Sequence, residues 1–226
     1  MTPVTPVPIL PRMRQCTDPA CRFRFPIADA RSDRPRCPLC GSATLITHTW
    51  PGNLPEASNP AQPAAPTRPV EALLDNIRST HNVGSILRTA DGAGIRHVHL
   101  AGITPHGDNP KVAKTALGAE THVPWSYHRN GVDALLALQA GGKQIWVLEL
   151  TPTALPLAQA VDAWPTQPAT GELRPVVLVV GNEVTGIDPA IMALADRVVA
   201  IPMHGSKRSL NVAVAFGVAA YFLTGG

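Results

Sequence analysis

The closing stretch, 176-VVLVVGNEVTGIDPAIMALADRVVAIPMHGSKRSLNVAVAFGVAAYFLT-224, decides the fold. Its first five residues are aliphatic, which is typical of a strand buried on both faces, and they lead directly into 181-GNEVTG-186. A second predicted strand ends at 201-IPM-203, and a basic loop follows before 209-SLN-211 opens an apolar helix. Two strand ends thus carry glycines, one carboxylate and several polar groups towards one place. We interpret this place as a cofactor pocket with half of an active site attached.

Upstream of this stretch, from residue 70 onward, short apolar segments alternate with amphipathic ones. This alternation is typical of α/β proteins, in which helices pack on a parallel sheet. The pattern predicts strands at 71–75, 97–100, 122–125 and 144–150. Helices are expected at 111–120 and 132–140, and the proline-punctuated segment 152–175 returns the chain to the sheet.

The segment 76-NIRSTHNVGSILRTADGAG-94 follows the first predicted strand and continues as a helix. Its apolar residues fall on one helical face, and Arg88 lies off that face. Asn82 stands where an N-cap is expected, while Gly92 and Gly94 end the helix. The alternative is that Asn82 only caps the helix and that Arg88 is only exposed to solvent, with no role in binding or catalysis. The density of polar side chains at a strand-to-helix junction, where open α/β sheets bind ligands, favours a functional site.

All four cysteines lie near the N-terminus, in the pattern Cys16-x4-Cys21 and Cys37-x2-Cys40. Two close pairs separated by a short loop suit a zinc ion held by four thiolates. Two disulfides are the alternative, which the lack of a visible secretion signal disfavours. Four thiolates leave no open coordination position, so we expect the zinc to be structural.

Charge is unevenly spread along the chain, which has 226 residues and a formal net charge of +3. Residues 12–36 carry seven arginines against three aspartates, a local charge of +4. This basic segment either contacts RNA phosphates or forms a solvated surface. A nucleic-acid interaction must therefore rest on local patches and not on the overall charge.

Six prolines within residues 51–69 separate an N-terminal zinc-ribbon-like module, 1–50, from a larger domain, 70–226. Such a composition predicts a semi-extended linker, because proline disrupts helices and interior strands. No signal peptide is visible, and no apolar run approaches the ~20 residues that span a bilayer. We therefore expect a cytoplasmic protein without a membrane partner.

Three ordered motifs, 76–94, 181–187 and 201–215, together resemble the SPOUT superfamily, specifically its SpoU/TrmH-type RNA 2′-O-ribose methyltransferases. The resemblance covers residues 70–224. It implies a parallel α/β sheet whose C-terminal segment threads a trefoil knot, although chains as a rule do not knot. It also implies S-adenosylmethionine bound within the knot, and a homodimer through this region that completes the active site. A buried core helix is the alternative to the dimer interface at 212–223.

The resemblance assigns roles to individual residues. The cofactor pocket is expected to be built from Leu148, Gly181, Asn182, Gly186, Ile201, Met203, Ser209 and Leu210. The catalytic set is expected to comprise Asn82, Arg88, Glu183, Ser209 and Asn211. Ser209 is also explained by ordinary helix capping, and both roles are compatible.

The implied reaction moves a methyl group from a sulfonium to a ribose 2′-hydroxyl, so alignment and proton removal are the tasks left to the protein. A guanidinium stays protonated in proteins, which disfavours Arg88 as a simple base. We expect Arg88 to bind the adjacent phosphate and to stabilise the alkoxide charge that develops on the ribose oxygen. Glu183 is expected to orient Arg88 or Asn82.

The RNA partner is a tRNA or an rRNA in this family. Contacts with it are expected from five basic residues, Arg78, Lys111, Lys114, Lys207 and Arg208. Two other classes of function are alternatives. One is a non-catalytic RNA-binding or assembly protein on the same scaffold, and the other is a different nucleotide-binding α/β protein. The intact catalytic set argues against the first, and binding of S-adenosylmethionine would exclude the second.

Overall fold

The structure, a computed structural model, describes residues 10–27, 35–50 and 68–225. The chain divides into two compact units, Met1–Ala64 and Ala65–Gly226, and each has its own sheet. The predicted linker 51–69 lies outside the described residues except for its last two positions.

The N-terminal unit contains a small antiparallel sheet. Its strands are β1 (Arg12–Cys16), β2 (Arg24–Ile27) and β3 (Thr44–Thr49), in the order β2-β1-β3. The side chain of Arg14 is buried and donates hydrogen bonds to the carbonyl and hydroxyl oxygens of Thr44, which ties β1 to β3. The few buried apolar residues of this unit include two of its cysteines.

The C-terminal unit is organised on a seven-stranded sheet in which every strand pair is parallel. Its strands are β4 (Val70–Asp75), β5 (Val98–Ala101), β6 (Trp125–His128), β7 (Gln144–Leu148), β8 (Leu155–Pro156), β9 (Val176–Val180) and β10 (Arg197–Ala200). They follow the order β6-β5-β4-β9-β7-β10-β8. All seven carboxyl ends therefore lie on one edge of the sheet, and the predicted parallel α/β architecture is confirmed.

Helices cover both faces of this sheet. They are α1 (Thr80–Ala93), α2 (Pro110–Ala116), α3 (Ala119–His122), α4 (Gly131–Ala140), α5 (Leu157–Asp162), α6 (Pro189–Ala193) and α7 (Val212–Thr224). One core holds residues of α1, α2, α5 and α7 against the sheet, and a second core holds α4 and α6 on the opposite face. In the described part of the chain no helix has the length and apolar content that a bilayer span needs.

The N-cap of α1 is Ser79, not Asn82 as the sequence suggested. The Ser79 side chain accepts a hydrogen bond from the Asn82 amide at 3.3 Å, and Asn82 lies within the first helical turn. The end of the helix was predicted correctly, since Gly94 adopts a left-handed conformation there (φ 71°), which glycine adopts without strain.

Four further predictions were wrong in their details. The helix expected at 111–120 is broken, because Leu117 and Gly118 both adopt positive φ angles between α2 and α3. The strand expected at 122–125 lies instead at Trp125–His128. The strand expected at 144–150 ends at Leu148, and the strand expected to end at 201–203 ends at Ala200.

Helix α7 begins at Val212 with Asn211 as its N-cap, so Ser209 and Leu210 belong to the preceding loop. The helix is apolar all round, as expected, but only one side is buried. Its exposed side carries four large apolar residues at helical spacing, Val214, Val218, Tyr221 and Phe222. The knot that the resemblance implies for this part of the chain stays a prediction.

A polar cluster joins strands β4, β5 and β6. The imidazole of His99 lies 3.0 Å from a Glu71 carboxylate oxygen and 3.1 Å from Nε2 of His128. Nε2 of His97 and Nε2 of His128 each lie 2.9 Å from the Ser126 hydroxyl. Lys143 donates to both Glu71 oxygens at 2.6 Å.

We expect this cluster to make the fold acid-sensitive. Burial lowers the pKa of His97 and His128, and the neighbouring His99 lowers both further. The unfolded chain therefore takes up protons near the ordinary value of 6.5 before the folded chain does, and stability is lost as pH falls through that range. Burial alone would raise the pKa of Glu71, but hydrogen bonds from His99 and Lys143 lower it to about 2, which adds a second loss below pH 4.5.

Thermal unfolding followed from about pH 7.5 to about pH 5.5 should show a falling Tm. The substitution His128→Gln should flatten that dependence, whereas His122→Gln, at an exposed histidine of α3, should not. An unchanged slope for His128→Gln would contradict this account of the cluster.

Candidate functional site

A cavity of about 360 Å³ opens at the carboxyl edge of the sheet, above β7, β9 and β10. It is lined by the segments that follow these three strands and by the start of α7. All eight residues predicted for a cofactor pocket lie on its wall: Leu148, Gly181, Asn182, Gly186, Ile201, Met203, Ser209 and Leu210. Glu183, Arg208 and Asn211 line the same cavity.

The loop after β9 closes on itself to form one wall. Asn182 and Gly186 exchange backbone hydrogen bonds of 3.0 and 3.1 Å, and Gly186 adopts a φ of 73°. A Cβ atom on Gly181 would lie only 2.8 Å from the carbonyl carbon and oxygen of Gly186. Glycine at position 181 is therefore required for this close turn.

Glu183 connects this loop to the N-terminus of α1. Its carboxylate accepts hydrogen bonds from the amides of Arg78 (3.0 Å) and Ser79 (3.2 Å) and from Nδ2 of Asn82 (2.9 Å). Partial burial would raise its pKa, but these hydrogen bonds hold the pKa of Glu183 below its ordinary value. Glu183 is therefore an ionised anchor, favourably placed at the positive end of a helix.

Asn211 extends this connection to the third sequence motif. Its Nδ2 donates to Oδ1 of Asn82 at 3.2 Å, while its Oδ1 caps α7 by accepting from the amide of Ala213 at 2.9 Å. A chain of side chains, Glu183–Asn82–Asn211, thus joins three motifs that are far apart in sequence. Asn82 is only 8% exposed, and its position is fixed from both sides.

The structure does not bring every predicted residue to this cavity. Arg88 is exposed, and it makes no hydrogen bond or ion pair within the described ranges. It lies six residues beyond Asn82, which places it about 9 Å further along α1 and roughly a third of a turn away. Lys111, Lys114 and Lys207 are exposed and do not line the cavity, whereas Arg208 lies at its mouth.

Sequence reasoning missed Glu149, which lines the cavity directly after β7. Its carboxylate lies 3.0 Å from the Cβ position of Gly186 and accepts a hydrogen bond from the Leu150 amide. Its place after a buried strand was a signal that could have found it. The cavity wall therefore holds two carboxylates, Glu149 and Glu183, against one guanidinium, Arg208, which suits a ligand carrying positive charge.

The N-terminal unit brings its four cysteines together in one cluster. The sulfur atoms of Cys16, Cys21, Cys37 and Cys40 all lie within 4.8 Å of one another, and none is in a disulfide. The Cys16–Cys40 and Cys21–Cys37 sulfur distances are 3.5 and 3.8 Å. A tetrahedral zinc with Zn–S bonds of about 2.3 Å would hold its sulfurs about 3.8 Å apart. The four cysteines therefore fit a zinc ion.

Comparisons with known proteins agree with this geometry. Residues 69–221 match the SpoU rRNA Methylase family. The tRNA (guanosine(18)-2'-O)-methyltransferase of Escherichia coli (strain K12) is 33% identical over 148 residues, which is 66% of this chain and 59% of that protein. The 23S rRNA (guanosine-2'-O-)-methyltransferase RlmB of Ralstonia nicotianae is 35% identical over 150 residues, covering 66% and 56%. The chain thus matches less than two thirds of the length of these relatives.

Two solved structures are similar to the C-terminal unit. The A. aeolicus TrmH/SpoU tRNA modifying enzyme aligns with a TM-score of 0.59 and 29% identity, over 70% of this chain and 74% of that chain. The AdoMet-bound rRNA methyltransferase from Sinorhizobium meliloti aligns with a TM-score of 0.60 and 27% identity, over 70% and 57%. Because the family match takes in 69–221, the resemblance is confirmed, and this protein is a member of the SpoU methylase family.

Proposed function

We propose that this protein methylates a ribose 2′-hydroxyl of a structured RNA, a tRNA or an rRNA, using S-adenosylmethionine. The observation that carries the proposal is the Glu183–Asn82–Asn211 chain, which brings three family motifs together beside one cavity. The tRNA and rRNA 2'-O-methyltransferases among its relatives support the same reaction.

The chemical character of the cavity wall suits S-adenosylmethionine. Its wall combines apolar side chains, among them Leu148 and Ile201, with the backbone of tight loops, which suits an adenine and a thioether. Glu149 and Glu183 favour a ligand with a sulfonium and an ammonium group. The AdoMet-bound relative from Sinorhizobium meliloti supports this assignment.

When bound, S-adenosylmethionine would supply a methyl group on a positively charged sulfur, and its transfer to a ribose oxygen would break the sulfur–methyl bond and leave a neutral thioether. The chain's own residues must align that oxygen and accommodate its charge. Glu183 holds the Arg78–Asn82 segment in place, and the buried Asn82 side chain links Glu183 to Asn211, which lines the cavity. The guanidinium of Arg88 binds a phosphate and stabilises developing alkoxide charge, while water or a phosphate oxygen takes the proton.

The position of Arg88 supports an active site shared between two protomers. Its separation from Asn82 along α1 keeps it away from the cavity of its own protomer. Helix α1 packs against α7, with Thr89 lying 3.5 Å from the Cβ position of Gly217, and α7 carries the exposed apolar side described above. We propose that this side forms a homodimer interface and that Arg88 serves the partner's cavity.

We further propose that Cys16, Cys21, Cys37 and Cys40 hold a structural zinc ion, since their sulfurs have the spacing that zinc requires. The module would then extend the RNA-binding surface through its arginines. Arg78, Lys111, Lys114, Lys207 and Arg208 are proposed to bind RNA phosphates.

Calorimetric titration with S-adenosylmethionine tests the cofactor assignment. The substitution Gly181→Ala should raise the Kd at least about ten-fold, because its methyl group would force the backbone of Gly186 away and so deform the cavity wall. Gly205→Ala, where a Cβ meets nothing within 4 Å, is the matched control and should bind like the wild type. Equal affinity in both variants would contradict the proposed pocket.

A further inference from the structure

A second cavity, of about 520 Å³, lies on the same edge of the sheet, above the ends of β5 and β6. It is lined by the loop that follows β5 and by Tyr127 of β6. We call it the Tyr127 cavity. None of its lining residues belongs to the cavity described above.

The two cavities are neighbours across a single strand. In the sheet, β4 lies between β5, which carries the Tyr127 cavity, and β9, which carries the first cavity. With strands about 4.8 Å apart, β5 and β9 are separated by about 10 Å. Asn76, at the end of β4, contacts both sides: its Oδ1 accepts from the Ile103 amide (3.1 Å), and its carbonyl accepts from Nδ2 of Asn182 (2.7 Å).

Hydrogen bonds and tight packing fix the wall of the Tyr127 cavity without a ligand. The Tyr127 hydroxyl donates to the carbonyl of Gly102 at 2.8 Å, and the Gly102 amide donates to the carbonyl of His128 at 3.0 Å. A Cβ on Gly107 would lie 2.4 Å from the indole of Trp125, so the middle of the loop packs tightly. A flat ligand would therefore meet a preformed surface.

The exposed groups of this cavity suit a nucleobase. The rings of His106 and Tyr127 pack with centroids 4.0 Å apart, and both residues are exposed. Asp108 is exposed as well and makes no hydrogen bond in the described part of the chain, so its carboxylate is available to an amino or imino group of a base. The same carboxylate repels phosphate, which keeps an RNA backbone at the rim.

Positive charge lies at that rim. Arg129 follows Tyr127 by two residues, and Lys111 follows Pro110, the last lining residue of the loop; both side chains are exposed. Cationic side chains around an aromatic surface are the usual arrangement for an unpaired nucleotide, whose base stacks and whose phosphates are neutralised. This charge favours RNA over a protein partner.

We propose that the Tyr127 cavity binds an unpaired nucleobase of the substrate RNA, close to the ribose presented to the first cavity. The inference rests on the proposed RNA substrate, but its test needs neither the cofactor nor methyl transfer. The probes are a short oligoadenylate and the same strand paired with oligouridylate, with fluorescence anisotropy as the readout.

Both Tyr127→Ala and His106→Ala should raise the Kd for the single strand about five-fold to one-hundred-fold, and the wild type should prefer the single strand over the duplex. Tyr127→Phe keeps the ring and loses only the bond to Gly102, so it should bind like the wild type. His122→Ala, at another exposed histidine, is the matched control. If Tyr127→Ala does not fold, His106→Ala still tests the proposal. It is expected to fold, because the His106 side chain makes no hydrogen bond within the described residues.

Wild-type affinity in the two alanine variants would overturn the inference, as would equal losses in Tyr127→Phe and Tyr127→Ala, which would reduce Tyr127 to a structural tether. A wild-type protein that binds the duplex as well as the single strand would also overturn it. Failure of the proposed methyl transfer is recognised separately, by a lack of S-adenosylmethionine binding in calorimetry.

Discussion

Replacing Arg88 by alanine should lower methyl transfer to RNA at least about a hundred-fold, while S-adenosylmethionine binding stays unchanged. The reason is electrostatic: a guanidinium held near the developing alkoxide, as proposed for Arg88, would stabilise the transition state more than the ground state. Arg88→Lys should recover little activity, since an ammonium cannot bind a phosphate through two parallel hydrogen bonds. Arg96→Ala, at an exposed arginine just beyond α1, is the matched control.

A mixing experiment decides whether Arg88 acts across the proposed dimer. With S-adenosylmethionine kept below its wild-type Kd, protomers carrying Arg88→Ala and Gly181→Ala are each expected to retain about a tenth of wild-type activity or less alone. In a mixed dimer, the intact cavity of the first would receive Arg88 from the second, so random exchange should restore about a quarter of wild-type activity. If Arg88 serves its own protomer, no mixed dimer contains a complete site, and mixing restores nothing.

Replacing Cys37 by serine should release the metal and unfold the N-terminal unit. Free energies of zinc binding in small modules, about 10–16 kcal/mol, exceed what the few buried residues of this unit supply. The isolated protein should carry one zinc ion per chain by elemental mass spectrometry. In hydrogen exchange, the variant should lose protection at 10–27 and 35–50 and keep it at 70–224.

Leu39→Ser is the control for the zinc experiment, because Leu39 lies between two cysteines of the same loop and is 70% exposed. It should retain zinc and protection. The zinc assignment would be contradicted if wild-type protein without metal showed full protection of the N-terminal unit. If a thiol reductant then removed that protection, the cysteines would be paired in disulfides instead.

Much of the C-terminal unit was predictable because local signals agree with the fold. The run Val176–Val180 is apolar throughout, as a strand buried on both faces must be, and glycines follow where the backbone closes. The cavity wall could be named for the same reason, since parallel strands deliver their following loops to one edge. The exact start of α1 was not predictable in this way.

Non-local contacts decided the points that the sequence left open. Asn82 has the side chain of an N-cap, but its Oδ1 accepts from Nδ2 of Asn211 and its Nδ2 donates to Glu183, so Ser79 caps the helix instead. The break between α2 and α3 rests on a positive φ of 53° at Leu117, a conformation that leucine rarely adopts and that no sequence pattern signals. Arg88 was assigned by motif alone, and the structure leaves it exposed and outside the lining of the cavity.

The most direct test of the central claim is where the methyl group goes. Unmodified tRNA and rRNA would be incubated with the protein and S-adenosylmethionine labelled in its methyl group, then hydrolysed with alkali. A methylated 2′-oxygen cannot attack the adjacent phosphate, so the account predicts label in alkali-resistant dinucleotides, formed by the wild type and strongly reduced by Arg88→Ala. Label released only as base-methylated mononucleotides, or no transfer to either RNA by a protein that binds S-adenosylmethionine, would contradict it.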